Sequence, residues 1–274
     1  MEDFWVQYRC PVCKASLQRH ENRYVCESGH NFDMARKGYV HLLLSHQMNS
    51  KSPGDNKMMI AARTDYLSAG FYEPIVHELE KTCAQLEVET LLDAGCGEGY
   101  YAAMLAGQGI KVAGVDISKE GIMACCRRSK TIPWCIASVA DLPYMNASFD
   151  AVLSVFCRVE PQEFSRVAKP GGYIIYVGPG ETHLAELRDR LYDEVRAYES
   201  DKPDLYFAEF ESVLQRSLRI PLRLDDKTDI ENLLKMTPHY WSTNSMQQQR
   251  LLDSGPLVDS ADIQILVYQV PAQA

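Results

Sequence analysis

Short apolar runs alternate with amphipathic stretches through the middle of this chain. Residues 90–93, 111–115, 134–136, 151–155 and 173–177 are brief and apolar, the pattern of strands buried on both faces of a sheet. Residues 74–86, 100–108 and 119–128 instead carry apolar positions at helical spacing. The βαβα order predicts a doubly wound α/β fold around a parallel sheet.

Before this region the pattern changes. Residues 1–46 form a Cys/His-rich head. Residues 47–70 form a connector, with a polar Gly/Pro-containing stretch at 49–55 that reads as an exposed loop and a helix predicted over 58–69. Residues 71–274 carry the α/β pattern. With 274 residues and 46% hydrophobic content, the chain can bury one α/β core and still supply a small accessory module. It has no membrane-length apolar run and no secretory-type start, so a cytoplasmic protein is expected.

Nine cysteines, an odd number with Cys125 and Cys126 adjacent, fit metal ligation and free thiols better than a disulfide framework. The net charge of -9 argues against a nucleic-acid partner until its distribution is considered. Through Arg63 there are 9 Lys and Arg against 6 Asp and Glu; beyond it the balance is 19 against 31. His20, His30, His41 and His46 also lie at the basic end, which is either a solvated face or a site for polyanions.

The head contains Cys10-Pro11-Val12-Cys13 and, after twelve residues, Cys26-Glu27-Ser28-Gly29-His30. Two tight turns of this kind bring three thiolates and an imidazole to one tetrahedral zinc ion, a closed and therefore structural site. A redox Cys-x-x-Cys would instead sit inside a βαβ unit. So short a head needs such a staple to fold, and the metal's expected task is to present a surface.

At the end of the first predicted core strand stands Asp93-Ala94-Gly95-Cys96-Gly97-Glu98-Gly99-Tyr100. The glycines let backbone pass close to a ligand, and the helix that follows offers unpaired N–H donors. A dinucleotide loop would look similar. Two features favour S-adenosylmethionine. Tyr100 replaces the third glycine of the dinucleotide fingerprint, and Asp93 would repel a pyrophosphate but suits a cationic amino-acid tail. Asp116, ending the next strand, is placed to accept ribose hydroxyls. Asp141, in Ala140-Asp141-Leu142-Pro143, is placed to hold the adenine amine, and Lys169-Pro170-Gly171-Gly172 turns into a later strand.

Together these residues resemble a class I, Rossmann-like methyltransferase. The head, the segment from Asn31 to Val40, Ala69-Gly70-Phe71-Tyr72 and Met236-Thr237-Pro238 narrow the likeness to the bacterial 23S rRNA guanine-N1 methyltransferases. The resemblance covers nearly the whole chain and weakens after Leu191. It implies a mostly parallel seven-stranded sheet, a zinc-binding RNA-recognition head, and methylation of N1 of a guanine in the hairpin 35 region, position 745 or 748. It also implies a homodimer whose heads shape an RNA cleft, and cofactor contacts from Tyr72, Gly97, Glu98 and His183.

Methyl transfer to a ring nitrogen is an in-line displacement, so positioning and desolvation carry it. The N1 proton must leave, and no residue identifies itself as the base. Val155-Phe156-Cys157-Arg158 lacks the Asn/Asp-Pro-Pro-Tyr motif of exocyclic-amine methyltransferases, and Cys157, without a preceding proline, reads as an incidental thiol. Two other readings stand beside this one: a small-molecule methyltransferase, and a non-catalytic RNA-binding zinc protein.

Overall fold

The computed structural model describes residues 5–48, 50, 53–193 and 206–272. The head opens with three short antiparallel strands, β1 (Gln18–His20), β2 (Arg23–Val25) and β3 (Asn31–Asp33). A fourth, β4 (Tyr39–His41), leaves this ribbon for the main sheet. Then come α1 (Lys57–Ser68), α2 (Glu73–Gln85), β5 (Thr90–Ala94), α3 (Tyr100–Gly107), β6 (Lys111–Asp116), α4 (Lys119–Arg128) and β7 (Trp134–Ile136). The second half runs β8 (Phe149–Val155), α5 (Pro161–Val167), β9 (Ala168–Pro179), α6 (Ala185–Leu191), β10 (Glu211–Leu224), α7 (Lys227–Lys235), α8 (His239–Ser242), α9 (Ser245–Asp253) and β11 (Leu257–Gln269).

Local chemistry sets the helix starts. The Asn56 side chain accepts the Met58 and Met59 amides at 2.9 and 3.1 Å to open α1. Ser118 accepts the Gly121 amide at 3.0 Å to open α4, which ends on Arg127 and Arg128 where cations favour the helix dipole.

The main sheet has the order β10-β11-β9-β8-β5-β6-β7-β4. Its strands are parallel from β4 through β9, and β11 and β10 close it antiparallel. The expected seven strands are therefore all present, and β4 is an eighth. Strand order reverses at β5, which pairs with β6 on one side and β8 on the other. Open α/β sheets bind ligands at the carboxyl edge beside such a reversal.

Alternation along each strand divides the core. Leu91 and Leu153 pack on one face with Tyr66, Tyr72, Ile75 and Leu79; Leu92 and Val152 pack on the other with Tyr144, Phe149 and Phe164.

The second face also takes in the head. Tyr8, Tyr24, Val40 and Leu42 belong to its core, Tyr8 bridges to Tyr144, and the Leu42 amide donates to the Ile136 carbonyl at 2.8 Å. Burying each such side chain stabilises by about 1.5–3 kcal/mol, more than a surface ion pair of about 0–1 kcal/mol, so apolar packing holds the head in place. The described part of the head, from residue 5 onward, thus shares both sheet and core with the rest. In the connector Ser50 and Gly54 are exposed, but a side chain on Gly54 would meet Ile117 at 2.9 Å, and the Ser118 hydroxyl donates to the Asp55 carbonyl at 2.6 Å. Among the described residues, no helix is long and apolar enough to cross a membrane.

Candidate active site and metal centre

In the head, the ligand atoms of Cys10, Cys13, Cys26 and His30 all lie within 4.8 Å of one another. Cys13 Sγ is 3.6 Å from Cys26 Sγ, and His30 Nδ1 is 3.4 Å from Cys26 Sγ and 3.7 Å from Cys10 Sγ. Zinc with thiolates at about 2.3 Å and imidazole at about 2.0 Å makes a tetrahedron with edges of roughly 3.5–3.8 Å. The four donors fit that ion, with no open position for substrate.

The glycine loop leaves β5 at the carboxyl edge. Gly95, Gly97 and Gly99 adopt φ of +82°, +56° and +81°, a region side chains strain to reach. At Gly95 space is also closed, because a Cβ there would stand 2.1 Å from Cys157 Sγ. Asp116 ties the loop to β6: Oδ2 accepts the Gly97 amide at 2.8 Å and Oδ1 the Ser118 amide at 2.7 Å. Burial still pushes this carboxyl up, to about 6.

Asp93 is buried at 2% exposure, and its Oδ2 has no hydrogen-bond partner. Burial, with the Asp116 charge second, pushes its carboxyl up to about 8. A cationic group arriving in the cleft would relieve both conditions, as the ammonium of S-adenosylmethionine would. This orphaned oxygen, beside three glycines at positive φ, is what the cofactor requires of its cradle.

Two of the residues expected to contact the cofactor have charged protein partners. The Glu98 side chain is buried in an ion pair with Arg128, whose Nε lies 3.0 Å from Oε2 and 3.4 Å from the Glu98 carbonyl. Asp141, expected to hold the adenine amine, is engaged by side chains of the head and connector. Its carboxylate accepts from Arg9 at 2.8 Å, Lys14 at 2.7 Å and Gln47 at 2.8 Å. The turn itself stands where expected, after β7, with the Ala137 amide donating to the Asp116 carbonyl at 3.2 Å.

Tyr72 and His183 flank one residue that the sequence pattern did not single out. Phe156, directly after β8, is 43% exposed and holds φ +49°. Its ring centroid lies 6.1 Å from Tyr72 and 5.7 Å from His183. His183 Nδ1 is 2.9 Å from the Asp262 carbonyl, a bond that needs the proton on Nδ1 and leaves Nε2 as an acceptor. Burial lowers its pKa to about 4, so the ring is neutral. Burial and the Asp116 and Asp93 charges push the Cys157 thiol up to about 12, away from the thiolate that a nucleophile needs.

Arg63 was also missed. From α1 it pairs with Asp55, and its Nη1 lies 3.2 Å from where a Gly97 Cβ would stand. The loop thus carries a guanidinium on its Gly97 side as well as the Asp93 carboxyl at its start, opposite charges that suit the two ends of an amino-acid zwitterion. One arginine in an otherwise ordinary helix carries no motif to announce it.

Comparison with known proteins agrees with this geometry. A zinc-ribbon family model described as "RlmA, N-terminal" matches residues 8–51, and one described as "Methyltransferase domain" matches residues 92–176. The 23S rRNA (guanine(748)-N(1))-methyltransferase of Streptomyces fradiae is 31% identical over 94% of this chain and 94% of its own length. The chain belongs to the 23S rRNA (guanine-N1)-methyltransferase family. Bacillus subtilis YxjB, named as a candidate member, is also 31% identical, over 95% of this chain and 96% of its own. The solved structure of B. subtilis YcgJ shares the fold, with TM-score 0.51 at 15% identity over 73% of this chain and 98% of that one. As a member of this family the protein is a methyltransferase that uses S-adenosylmethionine and carries a structural zinc site.

Proposed function

We propose that the protein methylates N1 of a guanine in 23S rRNA, at position 745 or 748 in the hairpin 35 region. The carrying observation is that zinc ribbon and glycine loop occur in one chain that aligns, over 94% of its length, with a relative named for guanine 748. Exposed Arg23, Arg36 and Lys37 on the head supply cations for phosphates.

In this reading Asp93 Oδ2 takes the cofactor ammonium, Arg63 its carboxylate and Asp116 its ribose, while Gly95, Gly97 and Gly99 let the backbone close on it. S-adenosylmethionine supplies an electrophilic methyl group when bound. Phe156 gives the guanine a surface to stack on, with Tyr72 behind it and His183 beside it as a neutral acceptor for the N1 proton. The same reading holds the enzyme to be a cytoplasmic homodimer, which sedimentation would check.

A small-molecule substrate is the competing reading. Demethylmenaquinone methyltransferase of Tropheryma whipplei is 34% identical, but over only 36% of this chain. That likeness leaves most of the chain unmatched, whereas the guanine-748 relative matches 94% of it. Incubation with labelled S-adenosylmethionine and unmodified 23S rRNA, then nucleoside mass spectrometry, tests the proposal. It expects 1-methylguanosine at one hairpin guanine; no transfer to RNA despite cofactor binding would overturn it.

A further inference from the structure

We infer that the zinc knuckle and the cofactor pocket are thermodynamically coupled through Asp141, so that each ligand tightens the protein's hold on the other. The metal would then do more than fold the head.

Arg9 and Lys14 bracket the knuckle, each one residue from a ligand cysteine. Their positions are set by its turn, where the Lys14 amide donates to the Cys10 carbonyl at 2.9 Å and the Cys10 amide to the Ala15 carbonyl at 2.7 Å. Both side chains reach across to Asp141 in the turn after β7: Arg9 Nη2 to Oδ1 at 2.8 Å, Lys14 Nζ to the two oxygens at 2.9 and 2.7 Å. Arg9 also grips the backbone there. Its amide donates to the Pro143 carbonyl at 2.9 Å and its guanidinium to that of Leu142 at 3.3 Å.

The two cations are not equal. Lys14 is 47% exposed at its side chain, where an ion pair is screened; Arg9 and Asp141 are 14% and 25% exposed, where a charge-assisted bond holds geometry. Gln47, the first residue of the connector, completes the clamp with Nε2 on Asp141 and Oε1 accepting the Leu44 amide at 2.9 Å. Arg9, Lys14 and Gln47 therefore hold the carboxylate of a turn whose backbone α5 also grips, Glu163 Oε2 accepting the Leu142 amide at 2.7 Å and Arg166 Nη2 donating to the Leu142 carbonyl at 2.9 Å; among the described residues the carboxylate itself has no ion-pair partner in the α/β core.

That turn stands at the carboxyl edge beside Asp116, through the Ala137 amide. Ligation fixes Cys10 and Cys13, hence Arg9 and Lys14, hence the turn that borders the adenine side of the cleft. The inference rests on the reading of this turn as part of the cofactor pocket. Linkage makes the effect reciprocal: if zinc raises cofactor affinity by some factor, cofactor raises zinc affinity by the same factor.

The test uses the full-length, zinc-loaded protein and S-adenosylhomocysteine as probe. Arg9→Ala should weaken its binding in calorimetry by about tenfold, with one zinc still bound per chain, and Arg9→Lys should recover part of the loss. In turnover, KM for S-adenosylmethionine should rise while kcat at saturation holds, a split that simple destabilisation would not give. Zinc affinity, from chelator competition, should increase by a similar factor when S-adenosylhomocysteine saturates the protein. Equal probe affinity in wild type and Arg9→Ala, or zinc affinity indifferent to the probe, would overturn the coupling. Binding that is lost in Asp116→Ala yet indifferent to Arg9 would do so while leaving the cofactor reading intact. No probe binding by the wild type would instead sink that reading.

Discussion

Asp116 Oδ2 accepts the Gly97 amide at 2.8 Å, so the end of one strand holds the glycine loop that follows its neighbour. With Oδ1 on the Ser118 amide, one carboxylate organises two turns of the cofactor cradle. Asp116→Ala leaves both amides without an acceptor, each worth about 1–3 kcal/mol when buried and unpaired. Calorimetry should show S-adenosylmethionine affinity reduced by about a hundredfold or more, with Asp116→Asn losing less because its carbonyl still accepts one amide. An Ala variant within a few-fold of wild type would remove Asp116 from the cradle.

The legibility of this residue contrasts with others. Strand, glycine turn and Asp116 could be read from sequence because all three obey local rules: an apolar run, positive-φ glycines, an acid about twenty residues on. The zinc ligands were legible for the same reason. The partners of Asp141 were not foreseen, since Arg9 and Lys14 lie more than 120 residues away and no periodicity connects them. β4 was hidden because three residues are too few for a two-residue alternation to show. Phe156 was weighed only as the residue where proline is absent, and its exposure emerges from the strand end it occupies.

Asp93 predicts a pH dependence. Its carboxyl lies at about 8 in the folded, cofactor-free protein because it is buried and faces Asp116. A folded value above the unfolded one means the native state holds a proton that the unfolded chain releases. This group's contribution to stability is therefore greatest below about pH 4 and declines as pH rises to about 8. A bound ammonium favours the carboxylate, so binding near neutrality should expel a proton. Titration of S-adenosylhomocysteine in buffers of different ionisation enthalpy should show close to one proton released at pH 7, with affinity rising by up to about tenfold per unit between pH 6 and 7. Asp93→Asn should abolish the release; proton-neutral binding by the wild type would refute the assignment.

Gly95 is constrained twice, by φ +82° and by Cys157 Sγ, which lies 2.1 Å from where a Cβ would stand. Gly95→Ala should therefore lose cofactor binding, and Cys157→Ala should not restore it, because removing sulfur opens space but leaves the left-handed backbone. Left-handed strain of about 1–2 kcal/mol per residue sets the remaining penalty. A Gly95→Ala, Cys157→Ala double variant that binds as wild type does would show that crowding alone selects glycine here.

Phe156 predicts a separation of substrates. It is 43% exposed, so truncation costs the fold little, and its φ of +49° means that Phe156→Gly relieves strain. Stacking on an aromatic ring is worth about 1–3 kcal/mol per base, so Phe156→Gly and Phe156→Ala should each lower kcat/KM for RNA roughly tenfold to a hundredfold. S-adenosylhomocysteine affinity should stay within about twofold, since the cofactor is held by the glycine loop, Asp93 and Asp116. Phe156→Tyr should retain most turnover, because the π-face persists. If both truncations leave RNA turnover intact, the exposed ring serves another purpose; if cofactor affinity falls with it, Phe156 belongs to the cofactor wall with Tyr72 and His183, and the guanine must be held elsewhere.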